Sequence, residues 1–228
     1  MIPLSDIHVI LPAYNEASKI QEVIRSIREQ GIQHIIVVND GSKDNTAERA
    51  QQLDVLVVNH LINRGAGAAV QTAIELARRK NWQWIALMDA DGQHEAADLI
   101  RLKEKMEQSD CDIVIGSRFM QRNRQIPITR IFFNFIANCM TNLFCRENFS
   151  DSQSGLRLLN RRAIDAIDLQ IDGFGFCSEM LIRAEQVKLQ IEETPIRVYY
   201  TDYSIRKGQD FQVGLNTAFN FLWNALFK

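Results

Sequence analysis

Residues 84–93 read WIALMDADGQ, an apolar run that ends in two carboxylates and an amide. The run predicts a buried strand, which places Asp89, Asp91 and Gln93 at its carboxyl end. Open α/β sheets bind ligands at the carboxyl ends of their strands. Magnesium and similar hard cations take oxygen ligands from one or two carboxylates and from substrate phosphates. The stretch therefore favours a site for a metal and a diphosphate, and an ordinary acidic surface turn is the alternative.

The pattern around this stretch alternates short apolar strands with amphipathic helices. Such alternation predicts an α/β fold in which helices cover a mostly parallel sheet. The predicted strands span residues 7–11, 35–38, 55–58, 84–88 and 113–115. The predicted helices span residues 16–30, 45–52, 66–80 and 97–109.

Length and composition narrow the class of protein. The chain has 228 residues, 46% of them hydrophobic, which suffices for one domain with a sizeable core. Its net charge of −2 gives no global basic excess, so we expect no nucleic-acid partner. The cysteines form no CxxC pair, which indicates reduced thiols and a cytoplasmic location. We find no signal-peptide pattern and no apolar run of about 18 residues, so we expect no transmembrane helix.

Polar segments follow each of the first four predicted strands. They are residues 12–16 (PAYNE), 39–42 (NDGS), 63–67 (NRGAG) and 89–91 (DAD). Because parallel strands end at the same edge of a sheet, we expect these four loops to converge. They offer an aromatic ring for a base, acceptors for ribose hydroxyls and carboxylates for a cation on a diphosphate. This combination fits a nucleotide.

Taken in this order, the four segments resemble the family 2 glycosyltransferases, whose GT-A fold is a mostly parallel, Rossmann-like sheet with helices on both faces. Three further segments resemble the branch that contains dolichyl-phosphate mannosyltransferase and the bacterial polyprenyl-phosphate glycosyltransferases. They are residues 116–118 (GSR), 151–157 (DSQSGLR) and 203–209 (YSIRKGQ). The resemblance covers nearly the whole chain. Asn39 departs from the pattern, because relatives often carry a second Asp there.

The resemblance implies a hexosyltransferase that uses a GDP- or UDP-linked sugar and either Mg²⁺ or Mn²⁺. Breaking the sugar–phosphate bond builds negative charge on the nucleoside diphosphate, and a cation stabilises that charge. The implied metal ligands are Asp89, Asp91 and Gln93, with Asp91 central to catalysis. We expect the neighbouring His94 to be a solvated loop residue. The residues implied to bind the nucleotide are Pro12, Ala13, Tyr14, Glu16, Asp40, Asp89 and Ala90.

A cluster of arginines indicates an anion-binding surface for the acceptor. No acidic residue lies between Asp112 and Glu147, whereas that stretch contains Arg118, Arg122, Arg124, Arg130 and Arg146. An apolar helix predicted at 131–144 follows, with asparagines at 134, 138 and 142 as a thin polar stripe. Phosphate-binding groups beside a lipid-compatible face fit a polyprenyl phosphate, and we assign its binding to Arg118 and Arg130. A solvated basic loop is the alternative.

Further residues acquire roles from the resemblance. Glu179 either contacts the sugar or supports the site. We expect Arg206 and Lys207 in a mobile loop that closes over the phosphates. The wall near the transferred sugar is implied to be shaped by Asp151, Ser154 and Arg157.

The acceptor decides the mechanism. A phosphate monoester, whose second pKa is about 6, is already largely ionised at neutral pH, so it needs no general base. We therefore expect direct displacement with inversion at the sugar carbon. One alternative is a glycan or soluble hydroxyl acceptor, with Glu179 or Asp151 as the base. Two others are a dinucleotide-binding oxidoreductase, suggested by the glycines of residues 65–69, and a non-catalytic relative.

The C-terminal stretch, residues 211–227, has apolar side chains at helical spacing and an uncharged polar stripe. It is too short and too polar to span a bilayer. It predicts either an interfacial helix in the headgroup region or a helix that packs in a dimer or in the core. We favour the interfacial helix. The expected organisation is a glycosyltransferase domain over 1–210 and an amphipathic helix over 211–228, peripheral at the cytoplasmic face of the membrane.

Overall fold

The computed structural model describes residues 1–121, 126 and 128–199 of the chain. In this part, one sheet contains the strands β1 (Ile7–Ala13), β2 (His34–Asn39), β3 (Leu56–Asn59), β4 (Trp84–Leu87), β5 (Ile113–Ser117), β6 (Arg157–Asn160) and β7 (Ile191–Pro195). The helices are α1 (Ile20–Glu29), α2 (Thr46–Gln51), α3 (Ala66–Lys80), α4 (Asp98–Ser109), α5 (Ile128–Phe144), α6 (Arg161–Ala166) and α7 (Phe176–Gln186). A short 3₁₀ turn, Leu4–Asp6, precedes β1.

The order of strands across the sheet is β3-β2-β1-β4-β6-β5-β7. The pairs β1–β2, β1–β4, β2–β3 and β5–β7 are parallel, whereas β6 is antiparallel to both of its neighbours. All strands except β6 therefore end at the same edge. Because β6 is reversed, the loop that precedes it also lies at this edge.

Both faces of the sheet are buried. Successive residues of a strand point to opposite faces, so Val9 and Leu11 of β1 pack with α1 and α4, whereas Ile10 packs with α3 and α7. Strands that are buried on both sides read as continuous apolar runs, which is typical of parallel sheets covered by helices. The structure confirms the predicted α/β class.

The strands and helices predicted from the first half of the chain are confirmed, with small shifts of their ends. Helix α1 begins at Ile20 and not at the predicted residue 16. The Glu16 carbonyl accepts hydrogen bonds from the Lys19 and Ile20 N–H groups, which forms a separate turn before the helix. The apolar helix predicted at 131–144 begins earlier, at Ile128.

Several elements of the second half were not predicted: β6, α6, α7 and β7. Strand β6 has four residues, and the sequence RLLN shows no clear alternation of apolar and polar residues. The predictions for Arg122 and Arg124, for the loop with Arg206 and Lys207, and for the helix at 211–227 lie outside the described residues. Within the described part of the chain, none of the helices combines the length and the apolar composition needed to cross a bilayer.

Candidate active site

Asp89, Asp91 and Gln93 lie directly after β4, where the chain leaves the sheet. The Asp91 carboxylate accepts a hydrogen bond from the Gln93 N–H at 2.9 Å. Gly92 between them has φ 77°, which a glycine adopts without steric cost. The predicted metal ligands therefore share one tight turn at the carboxyl edge of the sheet.

Asp89 is held from two sides. His94 Nε2 lies 3.1 Å from Asp89 Oδ2. On the other side, a Cβ atom added to Gly155 would come within 2.5 Å of Asp89 Oδ1. Gly155 thus allows the loop before β6 to lie directly against the carboxylate.

The expectation that His94 is a solvated loop residue is wrong. His94 is 8% exposed, because residue 94 forms a β-bridge with Val198. The Tyr199 N–H also donates to the Gln93 carbonyl at 2.9 Å, so the segment after β7 covers the histidine. This contact joins positions about a hundred residues apart, and no local pattern in the sequence reports it.

The two carboxyl groups of the turn have pKa values that shift in opposite directions. Desolvation by the surrounding protein opposes ionisation of Asp89, but the hydrogen bond and charge of His94 and the charges of Arg118 and Arg157 outweigh it and lower the Asp89 pKa. Desolvation and the negative charge of Asp89 raise the pKa of Asp91 to about 6. Ionised Asp91 therefore repels its neighbour.

This donor set fits a hard divalent cation. Carboxylate and amide oxygens are the ligands that Mg²⁺ and Mn²⁺ favour, and a cation here would offset the repulsion between Asp89 and Asp91. In the described residues, we find no group of three or more His, Cys, Asp or Glu side chains that could hold a metal by itself. A cation at this turn would need further oxygens from a substrate, as Mg²⁺ sites with few carboxylates do.

Side-chain hydrogen bonds join the loops after β1 and β2. The Asn15 N–H donates to Ser42 Oγ at 2.9 Å, and Asn15 Oδ1 accepts from the Lys43 N–H at 2.8 Å. Asn15 has φ 54°, a conformation that asparagine tolerates better than most residues. The loops that carry the predicted nucleotide ligands therefore form one unit.

The predicted nucleotide ligands of the first loop lie beside the acidic turn. Tyr14 is 36% exposed, so part of the residue reaches solvent at this edge. Glu16 is buried, and its charge adds to the forces that raise the Asp91 pKa, so the two carboxylates are near each other. Of the remaining members, Pro12 and Ala13 are the last residues of β1, and Ala90 lies between Asp89 and Asp91 in the turn after β4.

Asp40 is buried, and its carboxylate is bound by other groups of the protein. Its carboxylate accepts hydrogen bonds from the Arg64 N–H at 3.0 Å and the Gly65 N–H at 2.7 Å, and His60 Nδ1 lies 2.7 Å away. Asp40 is 3% exposed. The structure thus makes Asp40 the organiser of the loop at 60–65, and its contact with a nucleoside stays a prediction.

The loop at 60–65 packs against a second loop, residues 170–173. A Cβ atom on Gly67 would come within 2.0 Å of the Ile171 carbonyl oxygen, and one on Gly65 within 2.4 Å of the Asp172 carbonyl oxygen. The glycines that suggested a dinucleotide fingerprint therefore allow the loop at 170–173 to pack closely against the start of α3. This explains them without the oxidoreductase alternative.

Glu179 fixes the second of these loops. Its carboxylate accepts from the Gln170 N–H and the Ile171 N–H, each at 2.9 Å, and from Arg183 Nε at 2.8 Å. Glu179 is 7% exposed. Of the two roles that the sequence left open, the geometry favours support of the site over contact with the sugar.

Arg118 and Asp151 form a bidentate ion pair at the same edge of the sheet. Arg118 Nε donates to Asp151 Oδ2 at 2.6 Å, and Arg118 Nη2 donates to Asp151 Oδ1 at 2.7 Å. Asp151 is 0% exposed, and the Arg118 side chain is 12% exposed. The charge of Arg118 contributes to the low pKa of Asp89, so the guanidinium lies near the turn that contains Asp89 and Asp91.

Arg157, predicted to line the sugar wall, is 0% exposed. Its guanidinium donates to the carbonyls of Ser154, Cys177 and Ser152, at 3.0, 3.0 and 2.8 Å. Burial lowers the Arg157 pKa, and nearby groups, among them Asp151, act in the opposite direction. Arg157 therefore braces the loop before β6, and a role of Arg157 and the buried Ser154 near the sugar stays a prediction.

Helix α5 packs through its polar side chains. Asn138 Nδ2 donates to the Ser150 carbonyl at 2.7 Å, and Asn142 exchanges two hydrogen bonds of 3.0 Å with the backbone of Phe149. Thr141 is 0% exposed. Among residues 130–144 of the helix, the exposed side chains are instead apolar: Ile131, Phe132, Phe133, Phe135, Ile136, Cys139 and Leu143. Arg130, in the first turn, is partly exposed.

The sequence did not predict the residues that support the site loops through hydrogen bonds. Glu193 of β7 accepts from the Ser150 N–H at 2.9 Å and the Asp151 N–H at 3.0 Å. His60 bridges Asp40 and Thr72, whose Oγ1 lies 2.9 Å from His60 Nε2. The sequence carried a signal only for the asparagines of α5, whose spacing of four residues predicted one helical face but not its partner.

Comparison with known proteins assigns the family. The family model described as glycosyl transferase family 2 matches residues 8–168, from β1 through α6. An uncharacterized protein of Methanocaldococcus jannaschii is 35% identical over 97% of this chain and 93% of its own. The UDP-N-acetylglucosamine–dolichyl-phosphate N-acetylglucosaminyltransferase of Methanococcus voltae is 30% identical over 95% of this chain and 94% of its own. The polyprenol monophosphomannose synthase of Mycolicibacterium smegmatis is 28% identical over 87% of this chain and 79% of its own.

Solved structures with the same fold include glucosyl-3-phosphoglycerate synthase of Mycobacterium tuberculosis in complex with Mn²⁺ and UDP-glucose. The TM-score is 0.70 at 18% identity, over 96% of this chain and 78% of that one. A complex of the same synthase with Mn²⁺, UDP and phosphoglyceric acid gives a TM-score of 0.72. With the match to the family model, this likeness makes the chain a family 2 glycosyltransferase with the GT-A fold.

Proposed function

We propose that the protein transfers a sugar from a GDP- or UDP-linked donor to a polyprenyl phosphate, with inversion at the sugar carbon. The observation that carries the proposal is the orientation of α5, which packs through asparagines against the loop that contains Asp151 and exposes aromatic and aliphatic side chains. The relatives from M. voltae and M. smegmatis are named for dolichyl phosphate and for polyprenol monophosphomannose, which supports the same class of acceptor.

The apolar face of α5 favours a lipid surface. Phe132, Phe135 and Leu143 are 58%, 64% and 78% exposed. Contiguous exposed apolar patches mark interaction sites, because leaving them in water costs about 25 cal/mol for each Å². The stretch from Ile113 to Arg146 contains no acidic residue, so it also suits anionic headgroups. We infer that the protein binds peripherally at the cytoplasmic face of the membrane, with residues 211–228 as a further contact.

The acceptor phosphate would bind at Arg118, with Arg130 as a second cation. Asp151 binds the Nε–Nη2 edge of the Arg118 guanidinium and so fixes its orientation, and a phosphate would bind at the Nη1–Nη2 edge. Because Arg118 is close enough to Asp89 to lower its pKa, a phosphate bound there would be near the donor sugar. The two substrates would then meet at one edge of the sheet.

The donor nucleotide would lie across the loops after β1, β2 and β4. Tyr14 would stack on the base, Glu16 and Asp40 would serve the nucleoside, and Asp89, Asp91 and Gln93 would hold Mg²⁺ or Mn²⁺. When bound, the cation stabilises the negative charge that develops on the departing nucleoside diphosphate. The M. tuberculosis synthase of the same fold was crystallised with Mn²⁺ and UDP-glucose, which supports this donor class.

No general base is required for an ionised phosphate, and the positions of the candidate bases agree with this. Asp151 is 0% exposed and bound to Arg118, while Glu179 is bound to backbone N–H groups and Arg183. A hydroxyl acceptor needs a base that can reach it. The alternative of a glycan or soluble hydroxyl acceptor is therefore the weaker candidate.

Substitution of Arg118 tests the proposal, and substitution of a second arginine provides a matched control. Arg118→Ala would strand the buried Asp151 and cost about 3–5 kcal/mol of stability, so Arg118→Lys is the sharper variant. The control is Arg162→Lys, because Arg162 pairs with the buried Asp112 at the opposite edge of the sheet, at 3.0 Å.

We expect the wild type to transfer sugar to a short polyprenyl phosphate. Arg118→Lys should lower kcat/KM for that acceptor by about tenfold, because an ammonium cannot pair bidentately with both Asp151 and a phosphate. It should spare affinity for the nucleoside diphosphate. Arg162→Lys should behave as the wild type. Transfer to hydroxyl acceptors alone, or equal losses in both variants, would overturn the proposal.

A further inference from the structure

Asn138 connects the exposed helix α5 to both sides of Asp151. Its Nδ2 donates to the Ser150 carbonyl at 2.7 Å. Its Oδ1 accepts from the Ser152 N–H at 2.8 Å and from Ser152 Oγ at 2.7 Å. Asn138 thus binds the residue before Asp151 and the residue after it.

Two further residues, one on α5 and one on β7, also bind the segment at 149–152. Asn142, one turn further along α5, pairs with both backbone groups of Phe149. From the sheet, Glu193 accepts from the N–H groups of Ser150 and Asp151. Of the contacts from α5, those of Asn138 immediately bracket Asp151, whereas those of Asn142 are two residues away.

Asp151 in turn orients Arg118. The carboxylate accepts from the Arg118 N–H at 2.9 Å and from two nitrogens of its guanidinium. A short path of hydrogen bonds therefore leads from the lipid-compatible helix through Asn138, the loop and Asp151 to the guanidinium. Every contact in this path is direct.

We propose that Asn138 is a positioning residue, which sets the place of Arg118 relative to the apolar face of α5 and so puts the guanidinium where it can bind the phosphate of a lipid-anchored acceptor. This inference rests on the proposed function, since it assigns Arg118 to a phosphate that is anchored in lipid. A membrane-embedded acceptor presents its phosphate at a nearly constant height above the apolar region. A receptor for it must hold its cation at a constant height above the helix that touches the lipid.

The alternative is that Asn138 only stabilises the fold. Asn142 supplies the matched control: it is the same residue type on the same helix, and it bonds to the same segment. Asn138→Ala and Asn142→Ala each remove an amide that bridges α5 to this loop, so we expect comparable losses in Tm. They should differ only in their effect on the acceptor.

The experiment measures kcat and acceptor KM with a short polyprenyl phosphate, affinity for the nucleoside diphosphate by calorimetry, and Tm. We expect Asn138→Ala to raise acceptor KM by about tenfold with little change in kcat or in nucleotide affinity. Asn142→Ala should change acceptor KM by less than about threefold. Asn138→Asp keeps the oxygens that accept from Ser152 and loses the donor, so its KM should be intermediate, and it serves if the alanine variant does not fold.

The outcomes separate this inference from the proposed function. Equal effects of Asn138→Ala and Asn142→Ala on acceptor KM, in a protein that transfers to polyprenyl phosphate, would overturn the positioning role alone. An unchanged KM in Asn138→Ala and Asn138→Asp would do the same. A wild type that never uses polyprenyl phosphate would overturn both proposals.

Discussion

Asp89 and Asp91 are two positions apart, yet their environments pull their pKa values in opposite directions. His94 and two arginines favour the charge of Asp89, whereas that charge and desolvation disfavour ionisation of Asp91. A raised pKa means that the folded chain binds the proton of Asp91 more tightly than the unfolded chain does. This contribution to stability is present below the unfolded pKa and is lost as pH rises through about 6. Desolvation and repulsion by Asp89 therefore destabilise the folded protein when Asp91 is ionised without a cation.

The first prediction concerns this electrostatic destabilisation. In metal-free protein, Asp91→Asn should raise Tm above that of the wild type at about pH 8, and the difference should shrink toward zero at about pH 4. The variant should also lose most transfer activity, because it removes a ligand charge. Thermal melts in chelator across this pH range provide the measurement. A Tm difference that does not depend on pH would contradict the assigned environment of Asp91.

The second prediction concerns the close approach of Gly155 to Asp89. A Cβ atom at 155 would lie 2.5 Å from Asp89 Oδ1, so Gly155→Ala should displace the carboxylate. We expect a loss of about tenfold or more in kcat/KM and weaker Mn²⁺ binding, with the fold retained. Gly173→Ala is the control, because a Cβ there meets nothing within 4 Å. Normal activity of Gly155→Ala would remove Asp89 from the site.

At the scale of elements, α5 reverses the usual arrangement of an amphipathic helix. Helices of globular proteins normally bury an apolar stripe and expose polar residues. Here Asn138 and Asn142 satisfy backbone groups of a loop, and the aromatic residues face outward. Hydrogen bonds therefore join α5 both to this loop and, through Thr141 and Ser178, to α7.

The third prediction tests this face. The double change Phe132→Ser and Phe135→Ser should weaken sedimentation with anionic vesicles while leaving Tm nearly unchanged, because both rings are exposed. Leu61→Ser is the control, since Leu61 is also exposed but lies in the loop after β3. Added salt should weaken the binding of the wild type, because arginines contribute to it. Unaltered vesicle binding by the double variant would contradict the role of α5.

An element can be predicted from the sequence when its pattern lies within one continuous segment of the chain. Strand β1 and helix α3 are visible as apolar runs and periodic faces, and Asp89 and Asp91 are visible because they follow a strand. Strand β6 is too short to show a period, and its reversed direction depends on pairing with β4 and β5. The burial of His94 depends on Val198, and the role of Asn138 depends on a loop folded back from residue 150. Such long-range contacts leave no local pattern.

At the scale of the whole molecule, the direction of β6 unites the two halves of the site. The loops after β1, β2 and β4 carry the candidate donor ligands to the carboxyl edge of the sheet. The antiparallel β6 brings Asp151 and Gly155 to the same edge, since these residues precede the strand. Arg118 follows β5 and meets them there. The candidate donor ligands and the Arg118–Asp151 pair thus lie at one edge of the sheet because one strand runs in reverse.

The product of the wild-type reaction tests the central claim most directly. Radiolabelled UDP- and GDP-sugars are incubated with the protein, Mn²⁺ and vesicles that contain a polyprenyl phosphate, and the label is followed into the organic phase. We predict that sugar from one donor class appears as a polyprenyl-phosphate sugar of inverted configuration, and that a chelator abolishes its formation. Label that appears only in water-soluble glycosides, with the lipid phosphate unchanged, would contradict the account.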